Sequence, residues 1–232
     1  MPVYNEKATV LTAIERVRAA PLEKELLVVD DCSTDGTREL LQSLAAPGVR
    51  VFFHDRNRGK GAAIRTAQPH VTGDIVIIQD ADLEYNPCDY PQLIQPILDD
   101  DADAVFGSRF LGGPHRVLLF WHMAGNTLLT LLSNMLTNLN LTDMECGCKA
   151  FRAFVFKNIP LTCHRFGFEP EIAVKLAQRR ARIYEVPVSY HGRDYSEGKK
   201  INWKDGVAAL YFIVKFAVFS RSDVAPVARQ AL

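Results

Sequence analysis

The stretch Gly73-Asp74-Ile75-Val76-Ile77-Ile78-Gln79-Asp80-Ala81-Asp82-Leu83-Glu84 constrains the fold of this chain more than any other. Ile75 to Ile78 are consecutive β-favouring apolar residues, which predicts a fully buried strand. Carboxylates then follow on alternate positions. In extended backbone alternate side chains share a face, so Asp80, Asp82 and Glu84 are expected to point the same way at the end of that strand. Like charges gathered there repel unless a cation sits among them. Hard oxygen ligands suit Mg²⁺ or Mn²⁺, and magnesium commonly takes one or two carboxylates plus phosphate oxygens of a substrate. A solvated acidic turn is the other reading of the same residues.

The segments before this stretch supply the rest of a sheet. A helix is expected from Glu6 to Ala20, with Val10, Leu11, Ile14 and Val17 at helical spacing and Pro21 closing it. Glu25 to Val29 reads as a buried strand running into the polar loop Asp30–Thr37, where Ser33 or Asp35 could cap a helix over Thr37 to Leu44. Val49 to His54 is a strand, Asn57–Gly61 a turn and Ala62 to Gln68 a helix. Strands alternating with helices through short connections predict a parallel sheet covered on both faces. Ligands of such sheets bind outside the carboxyl ends of the strands, so the acids at Asp30-Asp31 and Asp80–Glu84 are expected in one site.

Beyond the acids the pattern predicts a helix over Tyr90 to Leu98, a strand over Ala104 to Phe110 and a long apolar helix or helix pair over Arg116 to Leu139. A further helix is expected over Phe168 to Gln178 and a strand over Ile183 to Tyr190, with Pro187 marking an edge. Gly192 to Lys200 reads as a basic, glycine-containing loop.

The 232 residues suit one domain. Lys plus Arg and Asp plus Glu both number 27, which argues against a nucleic-acid binder with its basic excess. The five scattered cysteines do not form a disulfide framework. Cys146 and Cys148 form a lone C-x-C, for which reduced thiols in a cytosolic protein are a plainer reading than zinc.

Pro2-Val3-Tyr4-Asn5-Glu6, the run Val28–Thr37, Asn57-Arg58-Gly59-Lys60-Gly61 and Asp80–Glu84 stand in an order and spacing that resembles the family-two inverting glycosyltransferases. Gly107-Ser108-Arg109, Phe151-Arg152 and Gly192–Lys200 resemble the branch of dolichyl-phosphate mannose synthases and polyprenyl-phosphate glycosyltransferases. The resemblance covers nearly the whole chain. It implies a GT-A fold: a Rossmann-like α/β domain with a mostly parallel central sheet and helices on both faces. It further implies a single catalytic domain, with a nucleotide-sugar half over residues 1–110 and an acceptor half over 111–232 that ends in an amphipathic helix.

The implied reaction moves a hexose from a nucleotide sugar, of GDP-mannose or UDP-glucose type, to a polyprenyl or dolichyl phosphate. By this resemblance Pro2, Tyr4, Glu6 and Asp31 surround the base and ribose, and Asp80, Ala81, Asp82 and Arg193 contact the rest of the nucleotide sugar. Asp80, Asp82 and Glu84 would hold Mg²⁺ or Mn²⁺. Arg109, His122, Asn126 and Lys199 are expected at the acceptor phosphate, since guanidinium groups match phosphate geometry. Asp82, Arg109 and Asp143 are the expected catalytic residues. A hydroxyl acceptor would need a general base, for which Asp143 and Glu145 are the candidates, whereas a lipid phosphate is already ionised.

One departure from the family concerns the start. Relatives carry several apolar β residues before the Pro-x-Tyr-Asn-Glu segment, whereas here Met1 alone precedes Pro2, so the first strand is expected to be missing or nearly so. Either the start was assigned late or the chain was trimmed. Gly206 to Phe219 is too short and too charged to span a membrane. It suits either a helix lying on a membrane surface or one packed on the sheet, and Val117–Trp121 would add to the same apolar face. The expected place is the cytoplasm or the cytoplasmic face of a membrane. The alternatives are a transferase acting on a hydroxyl acceptor (a glycan, metabolite or protein), or an inactive nucleotide-sugar-binding protein. A nucleotidyltransferase is a remoter rival, because Pro2–Glu6 is not a glycine-rich phosphate loop.

Overall fold

The structure is a computed structural model that describes residues 1–112, 120–165, 167–193, 203–219 and 227. Two sheets form its centre. In the first, β1 (Pro2–Val3), β2 (Leu26–Asp30) and β3 (Val49–Phe53) lie side by side and parallel. Between them run α1 (Val10–Ala19) and α2 (Thr37–Gln42). After α3 (Lys60–Ala67) come β4 (Ile75–Ile78), α4 (Tyr90–Leu98) and β5 (Ala104–Ser108). The chain continues through α5 (Phe120–Thr137), β6 (Lys149–Arg152), α6 (Ala153–Asn158), α7 (Phe168–Gln178) and β7 (Ile183–Pro187). It reaches α8 (Trp203–Val214) and a π-helical turn over Lys215–Phe219.

The second sheet has the order β4-β6-β5-β7. β6 is antiparallel to both β4 and β5, and β5 pairs in parallel with β7. The mostly parallel expectation therefore holds with one antiparallel strand inserted. Both faces are covered, and the two-residue period of the strands shows it. Leu27, Ala104, Phe106 and Phe151 enter a core with Phe156, Phe168 and Ile172. Leu26 and Val28 face the other way toward Val10, Ile14 and Val17 of α1. Val105 and Ala150 face Leu93, Ile94 and Ile97 of α4.

The first strand is short, as expected. Pro2 and Val3 pair with Val29 and Asp30, and the Met1 nitrogen donates to the Leu27 carbonyl at 2.7 Å. Further back along β2 no described residue lies between it and β4. A cleft of about 880 Å³ separates the two strands, lined by Met1, Leu26, Leu27, Ile75, Val76 and Ile77 among others. This corrects one expectation: Ile75 to Ile77 are half-buried, not fully buried, because their edge faces this cleft.

Candidate functional site

The loops that follow β1, β2 and β4 leave the sheets on a shared edge, and each turns on a non-glycine residue with positive φ. These are Asn5 (φ 51°), Cys32 (φ 62°) and Leu83 (φ 65°). L residues visit this region at a cost of about 1–2 kcal/mol, so the surrounding contacts must hold it. They do so by interlocking the first two loops. The Asn5 amide donates to Ser33 Oγ at 2.9 Å, Thr34 N donates to Asn5 Oδ1 at 2.8 Å, and Glu6 N donates to Thr37 Oγ1 at 2.9 Å.

Asp82 and Glu84 come together differently from the simple alternation expected of them. The strand ends at Ile78, and the acids follow in a bend. Leu83 takes the left-handed conformation, and Glu84 N donates to Asp82 Oδ1 at 3.1 Å. Arg193 closes the group. Its guanidinium reaches Glu6 at 3.2 Å, Asp82 at 3.5 Å and Glu84 at 3.3 Å. Burial, then the Asp80 and Glu84 charges, push the Asp82 carboxyl up to about 7, against the Glu84 N–H and Arg193 that favour its ionised form.

Asp80 faces a neighbouring cluster. Its Oδ2 accepts from Lys60 Nζ at 2.9 Å, and the same ammonium lies 2.8 Å from Glu169 at the start of α7. Burial works against the Lys60 charge, yet Asp80 and Glu169 together hold its pKa well above the ordinary lysine value. Gly147 makes the approach possible, since a methyl group there would strike Asp80 Oδ2 and press on Lys60 Nζ and Tyr85.

Asp31 is what positions Lys60. Its carboxylate is buried and accepts from Arg58 N at 2.8 Å and Gly59 N at 2.6 Å, with His54 Nδ1 at 2.7 Å. Gly59 has φ +89° and lies against the His164 and Arg165 backbone, where a side chain would clash. Asp30 stays in its own loop, accepting from Ser33 N and from Arg38 Nη1 at 3.4 Å. The two acidic segments thus share an edge, and they communicate through Lys60 rather than by direct convergence.

Across the site stands a second basic group. Arg109, just past the end of β5, donates through Nε to Asp143 Oδ2 at 2.6 Å and through Nη2 to Asp143 Oδ1 at 2.7 Å. Asn126 of α5 joins both partners, accepting from Arg109 Nη2 at 3.0 Å and donating to Asp143 at 3.1 Å. Asp143 is fully buried and also accepts from Arg109 N, so its oxygens serve to fix the guanidinium. Tyr190 connects the two basic groups. Its ring lies under the Arg109 guanidinium at 5.1 Å, and its hydroxyl donates to Glu84 Oε2 at 3.1 Å. His122 sits one turn before Asn126 on α5, partly exposed.

Of the other expected residues, Pro2 lies in β1, Tyr4 is partly exposed at 39%, and Ala81 is buried against the α1 side of the first sheet. Lys199 lies outside the described residues. Sequence reasoning assigned no role to Lys60, Glu169, Tyr85 or Tyr190. Lys60 could have been found, because a lysine between glycines at the turn into a helix points at whatever that turn faces. Glu169 and the tyrosines come from distant segments and give no local signal.

Among the described residues no three His, Cys, Asp or Glu side chains converge as a preformed cation cage. The donor set still fits a hard cation. Asp80, Asp82 and Glu84 are oxygen donors, and the Asp80 and Glu84 charges add to burial in raising the Asp82 carboxyl. Mg²⁺ and Mn²⁺ complexes with phosphates need only one or two protein carboxylates. The five cysteines are free, with Cys146 and Cys148 buried beneath the site.

Comparison with known proteins bears on the family and the fold. Residues 1–160 match Glycosyl transferase family 2. The chain is 30% identical over 220 residues to undecaprenyl-phosphate mannosyltransferase of Micrococcus luteus, covering 86% of this chain and 85% of that protein. It is 32% identical over 207 residues to undecaprenyl-phosphate 4-deoxy-4-formamido-L-arabinose transferase of Edwardsiella ictaluri, covering 86% of this chain but only 61% of the relative. Among solved structures, glucosyl-3-phosphoglycerate synthase from Mycobacterium tuberculosis, in complex with Mn²⁺, UDP and glucosyl-3-phosphoglycerate, superposes with a TM-score of 0.72. Its identity is 21%, over 92% of this chain and 77% of that one.

Proposed function

The chain belongs to glycosyl transferase family 2 and has the GT-A fold, and from that premise we propose that it transfers a hexose from a nucleotide sugar to a polyprenyl phosphate with inversion. The observation that carries this reading is the pair of opposed basic groups joined through Tyr190. Arg193 stands over the Glu6, Asp82 and Glu84 carboxylates, and Arg109 is fixed beside them at the foot of an apolar helix. A transferase between two phosphorylated substrates needs two such anchors. The names of the relatives support the lipid phosphate acceptor, and the UDP-bound structural neighbour supports a nucleotide-sugar donor.

In this reading residues 1–110, joined by Arg193, bind the donor, and the rest of 111–232 binds the acceptor. Pro2, Tyr4, Glu6 and Asp31 line the nucleoside side, with Asp31 acting through the Gly59 loop that it holds. Ala81 shapes the backbone between Asp80 and Asp82. Asp82, with Asp80 and Glu84, would hold Mg²⁺ or Mn²⁺, which when bound neutralises charge building on the diphosphate leaving group. Arg109, Asn126 and His122 receive the acceptor phosphate together with Lys199. Asp143 is a positioning residue for Arg109, and an ionised phosphate acceptor needs no base.

Among the described residues no helix is long and apolar enough to cross a membrane. The exposed apolar side chains of α5 and α8 suit peripheral contact with a bilayer surface, where the acceptor's lipid would lie. The test incubates the protein with undecaprenyl phosphate, Mg²⁺ or Mn²⁺ and radiolabelled GDP-mannose or UDP-glucose. Label entering the organic phase is the expected result, and Asp82→Ala should abolish it with either metal. Label appearing only on a water-soluble hydroxyl acceptor would overturn the lipid phosphate assignment. Full activity of Asp82→Ala would remove the metal assignment.

A further inference from the structure

Arg193 stands where the negative charge of the site converges. It forks onto Glu6, with Nη1 donating to Oε2 at 3.3 Å and Nη2 to Oε1 at 3.2 Å. Nη2 also lies 3.5 Å from Asp82 Oδ2, and Nε donates to Glu84 Oε1 at 3.3 Å. These carboxylates belong to the loops after β1 and β4, so one guanidinium neutralises acids from two separate strand ends. Burial opposes its charge, but the three acids more than compensate.

The distances distinguish Arg193 from its opposite number. Charge-assisted N–H···O bonds close to about 2.7–2.9 Å in ordinary pairs. Arg109 meets Asp143 at 2.6 and 2.7 Å, in a paired geometry that Asn126 completes. The Arg193 side chain meets its three acids at 3.2–3.5 Å. Spread over three partners, it bonds to none at full strength. Its backbone is held at the same residue, since Arg193 N donates to Glu84 Oε1 at 3.0 Å, but also outside the carboxylates, since His191 N donates to the Glu84 carbonyl at 2.9 Å. That carbonyl bond keeps the chain beside the site while the guanidinium exchanges partners.

We propose that Arg193 is the resident counter-cation of this acidic site and passes to the diphosphate of the donor as a divalent cation takes over the carboxylates. The proposal rests on the nucleotide-sugar reading above and adds a consequence to it. A divalent cation arriving alone meets a positive charge already seated on the oxygens it needs. A diphosphate arriving alone meets Glu6, Asp82 and Glu84. Arriving together, the cation takes Asp82 and Glu84 while the guanidinium exchanges their oxygens for phosphate oxygens and keeps Glu6 within reach. Arg193 thereby makes cation and diphosphate binding cooperative, and the coupling is the same measured from either side.

The test measures Mn²⁺ binding by the electron paramagnetic resonance signal of the free ion, with and without UDP or GDP, after subtraction of protein-free Mn²⁺–nucleotide binding. The wild type is compared with Arg193→Gln and Arg193→Lys, and circular dichroism checks that each is folded. Arg193→Gln should bind Mn²⁺ alone about tenfold more tightly than the wild type, because it removes the competing charge. The factor by which nucleotide tightens Mn²⁺ should fall about fivefold or more in the same variant. Arg193→Lys keeps the charge and should leave the affinity for Mn²⁺ alone near that of the wild type. If nucleotide tightens Mn²⁺ in the wild type but Arg193→Gln changes neither quantity, the exchange is overturned and the nucleotide-sugar reading stands. If neither UDP nor GDP alters Mn²⁺ binding in the wild type, the nucleotide-sugar reading fails and the proposal falls with it.

Discussion

At the residue scale, the region around the site combines well-paired charges with a buried acid that lacks a partner. Arg109 and Lys60 are desolvated cations held by close carboxylates. Glu145, between the two, is different. Its Oε1 is buried without a hydrogen-bond partner, as is Glu169 Oε2, and burial followed by the Glu169 charge pushes the Glu145 carboxyl up to about 8. Its ordinary value is 4.5. Between these two pH values the unfolded chain gives up the proton that the folded protein keeps, so the contribution of Glu145 to stability falls as pH rises through that window. Glu145→Gln removes the titration. The melting temperature of the variant relative to the wild type should therefore rise between pH 5 and pH 9, by roughly 3–6 °C for a contribution of about 1–2 kcal/mol. A difference that stays constant over that range in parallel melts would show that Glu145 ionises normally in the folded protein.

At the element scale, β1 is the weak member of the sheet. Two residues of strand pair with β2, while the edges of β2 and β4 behind them face each other across the apolar cleft. An apolar segment of four to six residues joined ahead of Met1 would continue β1 into that cleft. The Met1 nitrogen already donates to the Leu27 carbonyl in ladder position, so an amide there would keep that bond. Burying Ile75, Val76 and Leu27 more fully should add a few kcal/mol at about 25 cal/mol per Å² of apolar surface. The expected outcome is a melting temperature higher by about 5 °C or more for the extended chain. Equal melting curves for the two forms would mean that the cleft is not a place for a strand. The antiparallel β6 is the other informative element. It follows the loop that carries Asp143, Glu145 and Gly147, and its pairing with β4 and β5 brings that loop between Asp80 and Arg109.

At the scale of the whole molecule, α5 and α8 pack together and leave an apolar surface outside. Trp121, Leu128, Leu131 and Met135 on α5, with Tyr211, Val214 and Phe219 on α8 and its π turn, are all exposed. α5 carries no Asp, Glu, Lys or Arg over its 18 residues. Single exposed apolar residues are ordinary, but a continuous patch marks an interaction surface. Binding to phospholipid vesicles in a flotation assay is expected, and replacing both Trp121 and Phe219 by Ser should lower it about fivefold or more. Unchanged flotation of that double variant would place the contact elsewhere. The sequence by itself determined the alternation of strands and helices, because the 2.0 and 3.6 periods of apolar residues are local; Tyr90–Leu98 and Phe168–Gln178 have the predicted limits. It also brought Asp80, Asp82 and Glu84 forward as candidate site residues, since acids directly after a strand of such a sheet face the ligand edge, and the family resemblance added Arg109. Only the tertiary structure decided their partners. Lys60 with Glu169, Arg109 with Asp143, and Arg193 with Glu6 join residues 109, 34 and 187 positions apart. Such pairings are set by how strands and loops pack, and no spacing along the chain encodes them. The acidic stretch after β4 is legible in sequence as a concentration of charge, and in the folded protein it becomes a site held closed by Arg193 from the far end of the chain.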